Sequence, residues 1–196
     1  KNAPVRYRIQ GIDDKDFSID MKNASSGMQN VTPLSIIVEY FATCFDAETS
    51  MKSSLFSFMN DTDNLKNFST AQNVGDIKQR HVHIFIEEPE LSLYPESQKA
   101  LMDFLVSRCF HTQKDYDITL MMATHSPYIV NYLNLLIKRN DKEEDTAYKI
   151  PFEDMNVYEI IGGSAISLRM EGEHRIINAS SLSDPISNIY SEYNAQ

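Results

Sequence analysis

The stretch His81-Val82-His83-Ile84-Phe85-Ile86-Glu87-Glu88-Pro89-Glu90-Leu91-Ser92-Leu93-Tyr94-Pro95 decides the fold. Ile84-Phe85-Ile86 is a short apolar run of β-branched and aromatic residues, the pattern of a strand buried on both faces. It runs directly into two adjacent carboxylates, Glu87 and Glu88, and Pro89 then forbids further ladder pairing. In an open α/β sheet, the carboxyl end of a central strand is where ligands sit. Two acids held there are costly unless a cation or a reacting water uses them. Taken alone, Ile84–Glu88 fits a solvated strand end equally well, so the neighbouring stretches have to decide.

Downstream, Pro95 stands near the start of a helix in which Leu101, Leu105 and Val106 recur at core spacing, with Phe104 and Cys109 beside them. His111 to Asp117 is a connector. Ile118 to Ala123 reads as a second buried strand that ends at Thr124-His125-Ser126-Pro127. A helix is expected from Pro127 to Lys138, with Tyr128, Val130, Tyr132, Leu133, Leu136 and Ile137 mostly inward. Strand, helix, strand, helix with short connections predicts a parallel sheet with right-handed crossovers. After a charged turn over Arg139–Asp145, Met155–Ile161 and Ala165–Met170 flank Gly162-Gly163-Ser164 as a hairpin. Pro185 to Tyr193 reads as a closing helix, and His174 as a surface residue.

Upstream, Ala47 to Gln79 is polar: a further helix is expected first, then a loop over Asp61–Gly75. Asn23 to Asn30 is small and polar and leads into Val31–Phe41, where Pro33 suits a first helical turn and Ile36, Ile37, Tyr40 and Phe41 share a face. A Ser/Gly loop opening a helix leaves free N–H groups and a positive dipole end that favours anions. A plain cap and turn fits Ser25-Ser26-Gly27 as well. Val5–Ile9 and Phe17–Met21 alternate apolar and polar residues around a turn at Gly11 and Asp13–Asp16, which predicts an N-terminal hairpin.

The chain has 196 residues, enough for one sizeable core, so a single domain over 1–196 is expected. Its hydrophobic content of 42% is that of a globular chain. The formal net charge of −10 disfavours a nonspecific grip on phosphate backbones. Two cysteines without a CxxC pair argue against a zinc or redox site, and both Cys44 and Cys109 are expected as buried free thiols. No apolar run reaches membrane-spanning length and no signal peptide is visible, so no membrane partner and a cytoplasmic location are expected. Lys1 in place of a starting Met suggests a fragment or a processed or trimmed chain.

Three pieces thus stand in order: a Ser-Gly-x-Gln loop capping a helix, a strand ending in Glu-Glu, and a strand ending in Thr-His. Together they resemble the C-terminal lobe of an ABC-type ATPase head, of the RecF- and SMC-like kind and nearest to OLD-family and related bacterial AAA-type ATPases. Ser25-Ser26-Gly27-Met28-Gln29 resembles the ABC signature, Ile84–Glu88 the Walker B segment, and Thr124-His125-Ser126-Pro127 the switch histidine. Glu88-Pro89-Glu90, Leu93-Tyr94-Pro95 and Gln98 are similar to the Glu-Pro-Glu…Leu-His-Pro…Gln run of the OLD-like branch.

The resemblance implies a P-loop NTPase fold: a mostly parallel sheet flanked by helices, with N- and C-terminal β-hairpins and the closing hairpin and helix over 155–193. It implies ATP and Mg²⁺ as cofactors, with Glu87 holding the metal directly or through water. Glu88 would be the general base for the attacking water, and His125 would contact the γ-phosphate. Ser25, Ser26 and Gly27, with the helix behind them, would cap ATP bound to a second head. Gln29 would support that loop. The partners implied are therefore a second ATPase head, as a homodimer, and DNA or a nuclease through the parent protein. Departures are Glu87 where Asp is usual, Met28 at the second signature glycine, and Tyr94 before Pro95.

None of the six glycines sits in a Gly-x-x-x-x-Gly-Lys-Ser/Thr run, so the phosphate-cradling loop is not in this sequence. The family places it upstream, and the chain alone is not expected to hydrolyse ATP. Two other readings compete with a half-head whose parent couples ATP-gated dimerisation to DNA repair, chromosome maintenance or phage defence. One is a non-catalytic interaction module docking on a complete ATPase. The other is a metal-dependent nuclease on Glu87, Glu88 and Glu90, which fits poorly because no Asp-x-Asp or His-Asn-His cluster accompanies it and Glu90 reads as a helix-leading surface acid.

Overall fold

The computed structural model describes residues 7–12, 16–46, 49–50, 53–54, 56–57, 81–112, 116–170, 172 and 175–195. The N-terminal hairpin pairs β1 (Arg8–Gln10) with β2 (Ser18–Asp20), and helix α1 (Ser26–Glu39) follows, continuing as a wider π turn over Tyr40–Cys44. Strand β3 (His81–Glu87) leads to α2 (Pro95–Phe110), and β4 (Asp117–Ala123) leads to α3 (Pro127–Asp141). The C-terminal part holds β5 (Tyr158–Ile161), β6 (Ser164–Ser167), β7 (Arg169–Met170), β8 (Ile176–Ile177) and α4 (Ser180–Asn194).

β3 and β4 run parallel, with His81 opposite Asp117 and Glu87 opposite Ala123, so both strands end at one rim. Val82, Ile84 and Ile86 alternate inward with Ile118, Leu120 and Met122, and pack against the helices. There Leu105 and Val106 of α2, Leu136 and Ile137 of α3, and Val38 of α1 are almost wholly excluded from solvent.

Among the described residues the other face of this sheet is open, which corrects the expectation of strands buried on both sides. Phe85 is 72% exposed and Met121, opposite it, 62%. Leaving one such side chain in water forgoes about 1.5–3 kcal/mol. The expected mostly parallel sheet reduces, among the described residues, to this one parallel pair; the other three pairs, β1–β2, β5–β6 and β7–β8, are antiparallel.

The β5–β6 hairpin turns at Gly162 and Gly163, whose φ of +57° and +83° suit the two-residue turn that matches strand twist. The β7–β8 pair is tied to the core by α3. The Asn134 amide donates to the Ile177 carbonyl at 2.9 Å and accepts from the Ile177 N–H at 2.7 Å, as a ladder partner would. Between α2 and α3, the buried Tyr132 hydroxyl donates to Asp103 at 2.5 Å and accepts from Arg139 at 3.0 Å. Burial, then the bond to Asp103, pushes its pKa up to about 12.

Several local expectations are corrected. α1 starts at Ser26, so most of the Ser25–Gln29 loop is its first turn and Pro33 lies in its interior. Ile36, Ile37 and Tyr40 are exposed while Val38 and Ala42 are buried. The inward stripe is instead Val31, Leu34, Val38 and Phe41, which pack on the core at helical spacing. Tyr128 is exposed rather than inward, and of the two thiols only Cys109 is buried. The final helix begins at Ser180, where Asn178 accepts from both the Ser180 N–H and hydroxyl, and Pro185 lies inside it. The loop expected over Asp61–Gly75, most of the helix expected after Ala47, and His174 lie outside the described residues.

Candidate active site

The rim where β3 and β4 end carries the acids and the imidazole. After Glu87 the ladder gains one more bond, the Glu88 N–H donating to the Ala123 carbonyl at 2.8 Å. Glu88 then adopts φ +47°, a left-handed conformation that costs a non-glycine residue about 1–3 kcal/mol. Pro89 is buried behind it, and the Leu91 N–H returns to the Glu88 carbonyl at 3.0 Å. The chain therefore turns sharply at the second acid.

On the neighbouring strand, Ser126 caps α3 by accepting from the Ile129 N–H at 3.3 Å, and Pro127 follows as a preorganised first helical residue. His125 is thereby held on a short link between a strand end and a helix start.

These two constraints bring His125 Nε2 to 3.9 Å from Glu88 Oε1. The imidazole is 89% exposed, and an ion pair so open to water is worth at most about 1 kcal/mol. The backbone at the two strand ends, rather than mutual attraction, places this pair. Glu87, exposed beside it, lies on the open side of the sheet by strand alternation.

The Ser25–Gln29 turn is built by its own hydrogen bonds. Ser25 Oγ accepts from the Met28 N–H at 3.3 Å, and the Gln29 amide donates to the Ala24 carbonyl at 2.8 Å and the Lys22 carbonyl at 3.3 Å. Ser25 and Ser26 are exposed and Gly27 is buried. A methyl group on Gly27 would stand 2.6 Å from the Ser92 carbonyl oxygen, so this glycine lets α1 lie on the loop after Glu88. Asn30 donates to the Leu91 carbonyl at 3.4 Å in the same contact. The turn thus joins the acid pair through residues 91–93.

The reading of Glu90 as a helix-leading surface acid is corrected. Glu90 is half-buried, and its carboxylate accepts from the Thr124 hydroxyl at 2.8 Å and from the His125 N–H at 2.7 Å. The Leu93 N–H donates to the Glu90 carbonyl at 2.9 Å, closing the turn that aims the side chain back at the second strand. No spacing rule marks such a contact; the Glu-Pro-Glu run was the only signal.

Among the described residues no group of three or more His, Cys, Asp or Glu is placed to hold a metal by itself. Glu87 and Glu88 nevertheless offer the hard oxygen donors that Mg²⁺ takes. That ion is commonly bound by one or two carboxylates together with substrate phosphates. The residues present fit it.

A family model described as an AAA ATPase domain matches residues 2–130, most of the chain. The chain belongs to that family. Its general chemistry is ATP binding and hydrolysis with Mg²⁺ on a P-loop NTPase fold. The matched stretch contains Ser25–Gln29, Glu87, Glu88, Glu90 and His125; the C-terminal hairpins and α4 lie beyond it. No curated protein and no solved structure matches the chain. No helix among the described residues is long and apolar enough to cross a membrane.

Proposed function

We propose that the chain is the C-terminal lobe of an ABC-type ATPase head of the OLD-like branch. In this reading it turns over ATP once joined to a lobe that carries the phosphate-cradling loop. The observation behind the reading is the Glu88–His125 pair, 3.9 Å apart at the carboxyl ends of neighbouring parallel strands and open to solvent.

Phosphoryl transfer depends mainly on positioning and charge neutralisation, and a general base must stand within reach of the attacking water. In this reading Glu88 takes the water's proton and His125 donates a hydrogen bond to a γ-phosphate oxygen. Glu87 helps to hold the metal. Bound Mg²⁺ neutralises phosphate charge and orients the nucleotide. Ser25, Ser26, Gly27 and the positive end of α1 meet the nucleotide of a second head, with Gln29 holding the turn. ATP then gates dimerisation, and the parent's work is DNA repair, chromosome maintenance or phage defence, with DNA or a nuclease as partner. Among the described residues the sheet face around Phe85 and Met121 is uncovered, which supports a further layer there; in this reading the lobe with the Gly-x-x-x-x-Gly-Lys-Ser/Thr run, which this sequence lacks, supplies it.

The test joins the chain to the phosphate-loop lobe and measures phosphate release. Mg²⁺-dependent turnover is expected. Glu88→Gln should abolish it while ATP-bound dimers persist in light scattering. Undiminished turnover in that variant removes Glu88 as the base. The missing phosphate loop also favours a second reading, a non-catalytic module docking on a complete ATPase. That reading wins if the joined protein binds its partner head but releases no phosphate.

A further inference from the structure

We infer that Glu90 is a positioning residue. Its carboxylate braces the Thr124–His125 segment and so sets the imidazole against Glu88. Both carboxylate oxygens are engaged, one by the Thr124 hydroxyl at 2.8 Å and the other by the His125 backbone N–H at 2.7 Å. Hydrogen bonds to an ionised acceptor are about twice as strong as neutral ones. Thr124 Oγ in turn accepts from the Ser126 N–H at 3.0 Å, so one acid orders three successive residues of the link.

The brace has a second leg. Gln98 and Ser126, 7% and 5% exposed, are the buried polar residues among those described. The Ser126 hydroxyl donates to Gln98 Oε1 at 2.5 Å, and Gln98 Nε2 donates to the Leu93 carbonyl at 3.0 Å. The His125 link is thus fixed at both ends to the loop that follows Glu88. The imidazole is 89% exposed and stands 3.9 Å from Glu88, too far for a hydrogen bond, so the backbone must hold its place. A fully satisfied polar network of this kind stiffens what it connects. Because the loop also carries the Ser92 carbonyl against Gly27, the brace ties the rim to the start of α1.

The functional consequence rests on the ATPase reading; the brace itself does not. Two measurements separate them. In the chain alone, hydrogen exchange at the His125 amide reads the brace. In the joined ATPase, kcat and KM read its effect. Glu90→Ala should expose the His125 amide to exchange and lower kcat roughly ten-fold to a hundred-fold, since misplacing a catalytic group by about 1 Å has that effect. KM for ATP should change less than about two-fold, because in the ATPase reading His125 is one donor among the nucleotide's contacts and the phosphate-loop lobe supplies most of the others. Glu90→Gln keeps a carbonyl acceptor for the His125 N–H and should restore most of both readouts, which loss of an acid, base or metal ligand would not allow.

Thr124→Val, matched in shape, removes the hydroxyl that donates to Glu90 and accepts from the Ser126 N–H, and should move both readouts in the same direction; it serves if Glu90→Ala does not fold. Unchanged His125 protection in Glu90→Ala or Thr124→Val overturns the brace. A Gln variant as impaired as Ala also overturns it, because charge or proton transfer would then be the role of Glu90. Loss of protection where the unsubstituted joined protein has no turnover upholds the brace and refutes the ATPase reading.

Discussion

Replacing Gly27 by alanine would put a methyl carbon 2.6 Å from the Ser92 carbonyl oxygen and 3.1 Å from Leu93 Cδ2. Carbon–oxygen contacts settle at about 3.3 Å or more, so the first turn of α1 must retreat by roughly 0.7 Å from a backbone atom that has no rotamer to change. Overpacking of this sort costs about 1–3 kcal/mol. Alanine's better helix propensity returns up to about 1 kcal/mol, and less in a first turn. The net loss expected is about 1–2 kcal/mol, and for a chain of this size each kcal/mol lowers Tm by about 2–4 °C. Thermal unfolding followed by circular dichroism should therefore show a fall of roughly 2–8 °C, with the urea midpoint moving the same way. A Tm that is unchanged or raised would refute the close approach of α1 to the 91–93 loop. It would also return Gly27 to a purely ligand-facing role.

The one-sided sheet predicts a contrast: Leu105→Ala, at a site with 0% exposure, should cost about 2–5 kcal/mol in urea unfolding, while Phe85→Ser should stay within about 0.5 kcal/mol. A core-sized loss at Phe85 would mean that this chain covers that face itself. For Tyr132, pushed up to about 12 by burial and by Asp103, the folded state binds the phenolic proton more tightly than the unfolded state. Its contribution to stability is therefore full below pH 10 and lost as the pH rises from 10 to about 12. Tyr132→Phe should flatten that limb of the alkaline denaturation curve, and an unchanged limb would assign it to other groups.

Local chemistry made much of this fold legible. Pro95 and Pro127 mark helix starts because their rings preset the helical φ and their missing N–H has no partner to lose. Gly162-Gly163 marks the tight turn because its backbone is left-handed at both positions. The open face was harder to see. Ile84-Phe85-Ile86 is apolar at every position, so its period cannot tell one covered face from two. The wider frame His81-Val82-His83-Ile84 alternates, and that alternation was the usable signal for a half-open strand. In α1 the misread face comes from Ile36 and Ile37, which are apolar yet exposed, while Val31, Leu34, Val38 and Phe41 form the inward stripe at helical spacing.

The site divides along the same line. Glu88 and His125 were legible because each sits one or two residues past an apolar strand, and the parallel register makes such positions neighbours. Glu90 was not, because its direction depends on what the backbone does at Glu88. Glu87, the last residue of β3, stays on the open side of the sheet. Glu88 bends the chain at φ +47° and meets His125. Buried Pro89 then directs Glu90 back across the rim onto Thr124 and the His125 N–H. Three carboxylates within four residues would repel one another if they shared a direction. The left-handed turn separates them, one outward, one beside the imidazole and one into the protein's own hydrogen bonds. The strain at Glu88 is therefore an understandable cost: relaxing it to an ordinary extended conformation would carry Glu90 away from the link it holds, leaving the His125 N–H and the Thr124 hydroxyl without their acceptor.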